Sequence, residues 1–284
     1  MYDIMIEFTK LHGNGNDFIL IDEYSKSKIP ESKKKDFAAE YCDRRFGIGA
    51  DGVLYLSKSD KADLKMRILQ PDKSEAEMCG NGIRCLVKYA IDKGYVDLGT
   101  ISVETKAGVL PIQTRRDYTG KIWIKVNLGI PITNRKDIPM IGEGDPIEEL
   151  YGYRVYAVNT GVPHSVIFTE DLDNLDILNI APKIRYNSIF PNGTNVNFVE
   201  IKNKELYIRT YERGVEEETM SCGTGSVASA FIALFNFIPI QNKKVQSEKI
   251  KVNTKGGVLY ISFENGFAFM EGSAETVYEG VIRL

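Results

Sequence analysis

The sequence predicts an α+β protein built from two related halves, each a set of strands wrapped around one central helix. Three observations carry this reading. Segments of the first half recur in the second in the same order and at nearly one offset. Cys79-Gly80-Asn81-Gly82 returns as Cys222-Gly223-Thr224-Gly225, Leu64-Lys65-Met66-Arg67 as Leu206-Tyr207-Ile208-Arg209, and VETKAGVLPI from Val103 as VNTKGGVLYI from Val252. Many short runs rich in Val, Ile, Tyr and Phe, bounded by Gly, Asn and Pro, alternate with few helical stretches, which fits α+β halves better than alternating βαβ units. Finally, ten of the thirteen residues from Ser226 to Ile238 are apolar. A helix apolar on nearly all sides must be surrounded by protein.

The elements follow in order. Met1 to Lys10 reads as an edge strand rather than a secretory leader, since it lacks a long apolar core. FILID and GVLYL are strands on either side of a helix expected from Glu31 to Phe46, with Phe37, Ala38 and Tyr41 on one face. The first C-G-x-G opens the helical run IRCLVKYAIDKGY, whose Arg84, Lys88 and Asp92 predict a stripe that reaches solvent. A hairpin-like T-K-x-G-V-L segment and the strand KIWIKVNL close the first half. The Pro/Gly-rich stretch from Gly129 to Gly152 follows. YRVYAV, SVIFT, NVNFVE and LYIRTY are strands of the second half, with a helix expected around Asp171 to Ile184. The second C-G-x-G, the apolar helix and LYISF follow. The final run TVYEGVIRL is strand-like and need not belong to the second half. The expected domains are residues 1–126, joined by a returning strand at 275–284, and residues 127–274.

Composition narrows the function. Lys+Arg is 36 against Asp+Glu 39, which argues against a general nucleic-acid binder. The two histidines, His12 and His164, and four cysteines are too few and too scattered for a multi-ligand zinc site, so no metal is expected. The longest apolar run near Phe231, AFIALF, is far short of the roughly 20 residues that span a bilayer. Cysteines without C-x-x-C spacing fit a cytoplasmic protein with reduced thiols. Neither a phosphate loop nor a strand-preceded G-x-G-x-x-G is present, so no nucleotide cofactor is implied.

A cysteine immediately before G-x-G at a helix start has a specific meaning. The first turn has N–H groups without intrahelical partners, and the helix dipole acts there like about half a positive charge. A thiolate is stabilised at such a place, where cysteine pKa values fall from near 8.5 to roughly 3.5–7.5. The same N–H groups can hold a carboxylate, and glycine lets a ligand approach the backbone. Related repeats tend to face each other, which would set Cys79 and Cys222 on opposite sides of one ligand. That suits inversion at a carbon, with one group removing a proton and the other returning one.

HGNGNDF (His12 to Phe18), CGNGIRC (Cys79 to Cys85), NTGVPHSV (Asn159 to Val166), GTNVNFVE (Gly193 to Glu200), YERG (Tyr211 to Gly214) and SCGTGS (Ser221 to Ser226) closely resemble diaminopimelate epimerases, in the family's order and over nearly the whole chain. The resemblance implies two similar domains, each a barrel-like sheet around a central helix. It implies cofactor-independent interconversion of LL- and meso-diaminopimelate on the route to lysine. It also implies an amino-acid substrate, no nucleic-acid or membrane partner, and a homodimer. Carried over by position, Cys79 and Cys222 match the acid/base pair. Gly80 and Asn81, with Gly223 and Thr224, match the carboxylate cradle. Asn16 matches a ligand to the reacting end, and Asn159, Asn195, Glu212 and Arg213 match the set that reads the distal end. His164 and Glu212 match residues that tune the thiols. Cys42 and Cys85 match no catalytic position and read as core.

Two positions depart from the family pattern. Where the family has N-x-D-G-S, this chain has Gln70-Pro71-Asp72-Lys73-Ser74, so a substrate amide at Gln70 is one methylene longer. Where some members have G-x-D-Q, this chain has Gly49-Ala50-Asp51-Gly52, and Gly52 offers no side chain. Other readings are a racemase for another amino acid, an amino-acid-binding protein without catalysis, and a redox protein that pairs Cys79 with Cys222.

Overall fold

The computed structural model describes residues 5–237 and 249–283. Residues 1–4 and Ile238, at the ends of two predicted elements, lie outside the described residues. The chain divides into two compact units, Met1–Val126 with Gly272–Leu284, and Asn127–Glu271. The elements run β1 (Met5–Gly13), β2 (Asn16–Asp22), α1 (Lys34–Tyr41), β3 (Gly52–Ser57), β4 (Leu64–Leu69), β5 (Glu75–Ala76), α2 (Gly80–Asp92), β6 (Thr100–Thr105), β7 (Gly108–Arg116) and β8 (Ile122–Asn127). They continue as β9 (Ile147–Leu150), β10 (Tyr153–Asn159), β11 (Pro163–Phe168), α3 (Ile177–Arg185), β12 (Asn195–Lys202), β13 (Glu205–Glu212), β14 (Glu217–Thr219), α4 (Gly223–Asn236), β15 (Ile250–Thr254), β16 (Gly257–Glu264), β17 (Phe267–Gly272) and β18 (Glu275–Arg283).

The repeat seen in the sequence is a repeat of strand pairing. In the first unit β2 and β3 run parallel, β3 and β4 antiparallel, β4 and β6 parallel, and β6, β7 and β8 antiparallel. In the second unit β11 and β12, β12 and β13, β13 and β15, and β15, β16 and β17 repeat those directions. Leu64 pairs with Val103 in one and Leu206 with Val252 in the other, joining the segments whose recurrence the sequence displays. Each unit then adds one antiparallel strand beyond its first hairpin: β18 on β1, and β9 on β10.

Each sheet has a helix on both faces. α4 packs on β10, β11, β12, β13, β15 and β16, and Val227, Ala228, Ala230, Ile232 and Ala233 join the core formed by those strands. Only its last turn opens, where Phe235 is exposed. α2 packs on β1, β2, β3, β4 and β18. On the opposite face of the first sheet lie Phe37 and Ala38 of α1, against Ile19, Ile21, Val53 and Tyr55. On that of the second lie Ile177, Ala181 and Ile184 of α3. Alternation along the strands sends one set of side chains to each helix.

Three sequence expectations need correction. The helix expected from Glu31 to Phe46 is a 3-10 turn, Glu31–Lys33, followed by α1, which stops at Tyr41. Asp43 ends it by accepting the N–H groups of Arg45 and Phe46, both at 2.7 Å, a local bond that competes with the helix ladder. The helix expected from Asp171 begins at Ile177, where Asp176 caps the N–H of Asn179. Arg84, expected on a solvent stripe of α2, is 0 % exposed.

Candidate active site

Both cysteines of the repeated motif are N-cap residues with extended backbone, Cys79 on α2 and Cys222 on α4. Each carbonyl accepts the first helical N–H at 2.9 Å, from Ile83 and from Ser226. Such a cap position is usually taken by Ser, Thr, Asp or Asn. A thiol there places sulfur beside the unpaired N–H groups of the first turn. In the second motif crowding favours glycine. A Cβ on Gly223 would lie 2.8 Å from Met270 Sδ, and one on Gly225 would collide with Asn197 Oδ1.

Around Cys79 the thiol accepts the N–H of Gly82 at 3.4 Å and lies 3.6 Å from Asn16 Oδ1. Asn81 Nδ2 donates to the same oxygen at 3.2 Å, while Asn16 Nδ2 donates to Asp51 Oδ2 at 2.6 Å. Behind them sits Arg84. Its guanidinium donates to Asn81 Oδ1, to Asn14 Oδ1 at 3.0 Å, to the carbonyl of Ser273 at 2.7 Å and to that of Gly80 at 3.3 Å. Those acceptors explain how a charge is tolerated inside. Burial lowers its pKa to about 10, which leaves it charged at neutral pH. Gln70 lies in an exposed turn, where its side-chain carbonyl accepts the Ser74 hydroxyl at 2.7 Å.

Around Cys222 a chain of hydrogen bonds runs through neutral side chains. Its sulfur is 3.4 Å from Thr224 Oγ1, which is 2.9 Å from His164 Nε2. On the other side of the ring, Asn197 Nδ2 is 3.1 Å from His164 Nδ1 and also donates to the carbonyl of Ser165 at 2.9 Å. Asn197 Oδ1 accepts the Thr210 hydroxyl at 3.0 Å, so its nitrogen is the atom facing the histidine. His164 Nδ1 is then an acceptor, and Nε2 carries the proton. Burial, with Arg213 nearby, pushes His164 down to about 3, so the ring is neutral. The ring thus donates Nε2–H to the Thr224 oxygen, and in the contact between Thr224 and Cys222 either the hydroxyl or the thiol can be the donor.

The remaining sequence-predicted residues lie on the second unit. Asn195 is buried and accepts the N–H of Arg213 at 2.8 Å while donating to the carbonyl of Pro163 at 3.0 Å. Glu212 accepts the Thr219 hydroxyl at 3.0 Å, and Arg213 donates to the carbonyl of Asn192 at 2.9 Å. Asn159 donates to the carbonyl of Asp137 at 2.7 Å and accepts the N–H of Gly161. Asn195 thus links the start of β12 to Arg213 beyond β13, the two ends that carry most of this set. Burial pushes Cys42 and Cys85 up to about 12, as core thiols. None of the four cysteines is in a disulfide. Among the described residues no three His, Cys, Asp or Glu side chains converge as metal ligands would, and no helix is long and apolar enough to cross a membrane.

Sequence reasoning missed Arg84, Asp51 and Asn197. Asn195 and Asn197 alternate along the otherwise apolar run NVNFV, and two amides on one face of a buried strand were a readable signal.

The fold is shared with solved structures of epimerases and phenazine-biosynthesis proteins. A Bacillus anthracis phenazine biosynthesis protein of the PhzF family superposes with a TM-score of 0.73 at 16% identity, covering 99% of both chains. A hydroxyproline epimerase from Agrobacterium vitis superposes with a TM-score of 0.67 at 15% identity, covering 99% of this chain and 93% of that one. The sequence is more specific. A family model described as diaminopimelate epimerase matches residues 8–133 and 156–277. A diaminopimelate epimerase of Methanothrix thermoacetophila is 56% identical over 98% of this chain and 96% of its own length. One of Archaeoglobus fulgidus is 46% identical over 98% and 97%. The chain belongs to the diaminopimelate epimerase family.

Proposed function

We infer that this chain is an isomerase that interconverts LL- and meso-diaminopimelate, a step of lysine biosynthesis, with Cys79 and Cys222 as its acid/base pair. The observation that carries the mechanism is their equivalence: each cysteine is the N-cap residue of a helix at the same place in a repeated unit. A thiolate removes the α-proton, breaking C–H and forming S–H. The second thiol gives its proton to the other face of the carbanion, breaking S–H and forming C–H. Thiol and thiolate have then exchanged places, which suits the reverse reaction. Negative charge develops on the α-carboxylate in between. The N–H groups at Gly80 and Asn81, and at Gly223 and Thr224, are the donors suited to it. No step of this scheme calls on a cofactor.

Asn16 serves the reacting end. Asn159, Asn195, Glu212 and Arg213 serve the distal amino-acid end, with Arg213 offering a planar fork to its carboxylate. Gln70 offers the substrate its amide nitrogen, while its side-chain oxygen accepts the Ser74 hydroxyl. His164 tunes Cys222 through Thr224. Thiols that must stay reduced favour the cytoplasm, and a homodimer is the assembly we expect. The test is a screen of amino acids in heavy water with reduced protein and no added cofactor. LL-diaminopimelate should gain α-deuterium and convert to the meso form. Exchange confined to another amino acid would overturn the substrate, and no exchange with any would overturn the reaction.

A further inference from the structure

We propose that Arg84 and Asp51 are positioning residues, opposite charges at the two ends of an amide relay that sets how Cys79 holds its proton. The proposal rests on the reading of Cys79 as one of the acid/base pair. The relay runs Arg84, Asn81, Asn16, Asp51. Guanidinium only donates, so the atom of Asn81 that faces it is the oxygen, and Asn81 Nδ2 turns to Asn16 Oδ1 at 3.2 Å. Carboxylate only accepts, so Asn16 presents nitrogen to Asp51 at 2.6 Å and its carbonyl oxygen to Cys79 Sγ at 3.6 Å. Neither amide can flip without setting N–H against guanidinium or oxygen against carboxylate. Asn16 therefore offers the thiol an acceptor, which favours the protonated form, while the Arg84 charge favours the thiolate.

The charged groups facing this relay come from five elements or their flanks. Arg84 lies on α2 and finds no carboxylate within ion-pair reach among the described residues. Asp51, just before β3, pairs with Arg44, which follows α1, at 2.7 Å. Asp17 of β2 pairs with Arg44 at 2.8 Å and with Lys10 of β1 at 2.7 Å. His12 of β1 accepts the N–H of Gly15, and Cys85 on α2 stays protonated through burial. The two relay ends act on Cys79 in opposite senses, which ordinary structural support would not do.

The experiment follows iodoacetamide labelling of each cysteine against pH, resolved by peptide mass spectrometry, in the intact protein. Asp51→Asn should lower the Cys79 midpoint by about one pH unit, the scale on which a nearby charge moves a titration. Asp51→Glu should restore it, and Arg84→Met should raise it. The Cys222 midpoint should stay put throughout. An unmoved Cys79 midpoint in Asp51→Asn, a shift of the same sign in both neutral variants, or a parallel shift of Cys222 would overturn the proposal. If Arg84→Met does not fold, the Asp51→Asn and Asp51→Glu pair decides alone. The readout needs no turnover, so failure of the substrate assignment would leave the labelling result standing, and the reverse.

Discussion

The two cysteine-capped helices share a backbone and differ in what stands behind the sulfur. Around Cys79 the hydrogen bonds end in full charges, Arg84 inside and Asp51 with Arg44 toward solvent. Around Cys222 they end in neutral, buried groups, His164, Asn197 and Thr210. The position equivalent to Arg84 in the second motif is Val227, and the position equivalent to Asn81 is Thr224. Duplication supplied two equal thiol sites, and side-chain divergence made them chemically unequal. An enzyme that takes a proton with one group and gives one with the other has use for that inequality.

The largest effect should come from removing either sulfur. Cys79→Ala and Cys222→Ala should each cut epimerisation at least about a hundredfold, the usual range for a lost acid or base, with circular dichroism unchanged. A variant that kept near-normal turnover would break the symmetry of roles. Thr224→Val comes next. It cuts the link from His164 to Cys222, so turnover should fall about tenfold and the labelling midpoint of Cys222 should rise while that of Cys79 holds. Equal shifts at both thiols would mean the two networks are not separate.

The neutral network should also show in stability. His164 has a native pKa near 3, far below the roughly 6.5 of an unfolded chain. The unfolded state therefore binds the extra proton between those values, and stability is lost as pH falls through that window. The slope is at most about 1.4 kcal/mol per pH unit. Thermal melting from pH 7 to pH 4 should fall less steeply in His164→Gln than in the unaltered chain, and parallel curves would count against a buried neutral ring.

The smallest effect concerns the turns after β4 and β13. The β13–β14 turn has Gly214 at φ +94° as well as Glu216 at φ +60°, whereas the β4–β5 turn holds Lys73 at φ +68° and no glycine. Lys73→Gly should stabilise the protein by up to about 1 kcal/mol, because glycine adopts that conformation without a Cβ penalty. A lower melting temperature would show that the Lys73–Asp36 ion pair, at 2.8 Å, outweighs the strain.

Much of the fold was legible because a duplicated chain displays its own register: the segments that recur are the strands that pair, Leu64 with Val103 and Leu206 with Val252. Helix ends were less legible, since a single bond from Asp43 or Asp176 decides them. Both motif cysteines were legible because a thiol before G-x-G has one strong physical meaning. Arg84 was not. A charge in a helical pattern reads as solvent-facing, and its acceptors come from Asn14 and Ser273, far apart along the chain. Asp51 was hidden for the same reason, because only folding brings it to Asn16.

The two-thiol claim is tested most directly by the first turnover in heavy water. LL-diaminopimelate should be converted to meso product carrying one deuterium at the inverted carbon, while recovered LL substrate at low conversion carries almost none. Protium retained in the product, or deuterium entering recovered substrate as fast as product forms, would mean that a single group moves the proton on both faces, and would contradict the account.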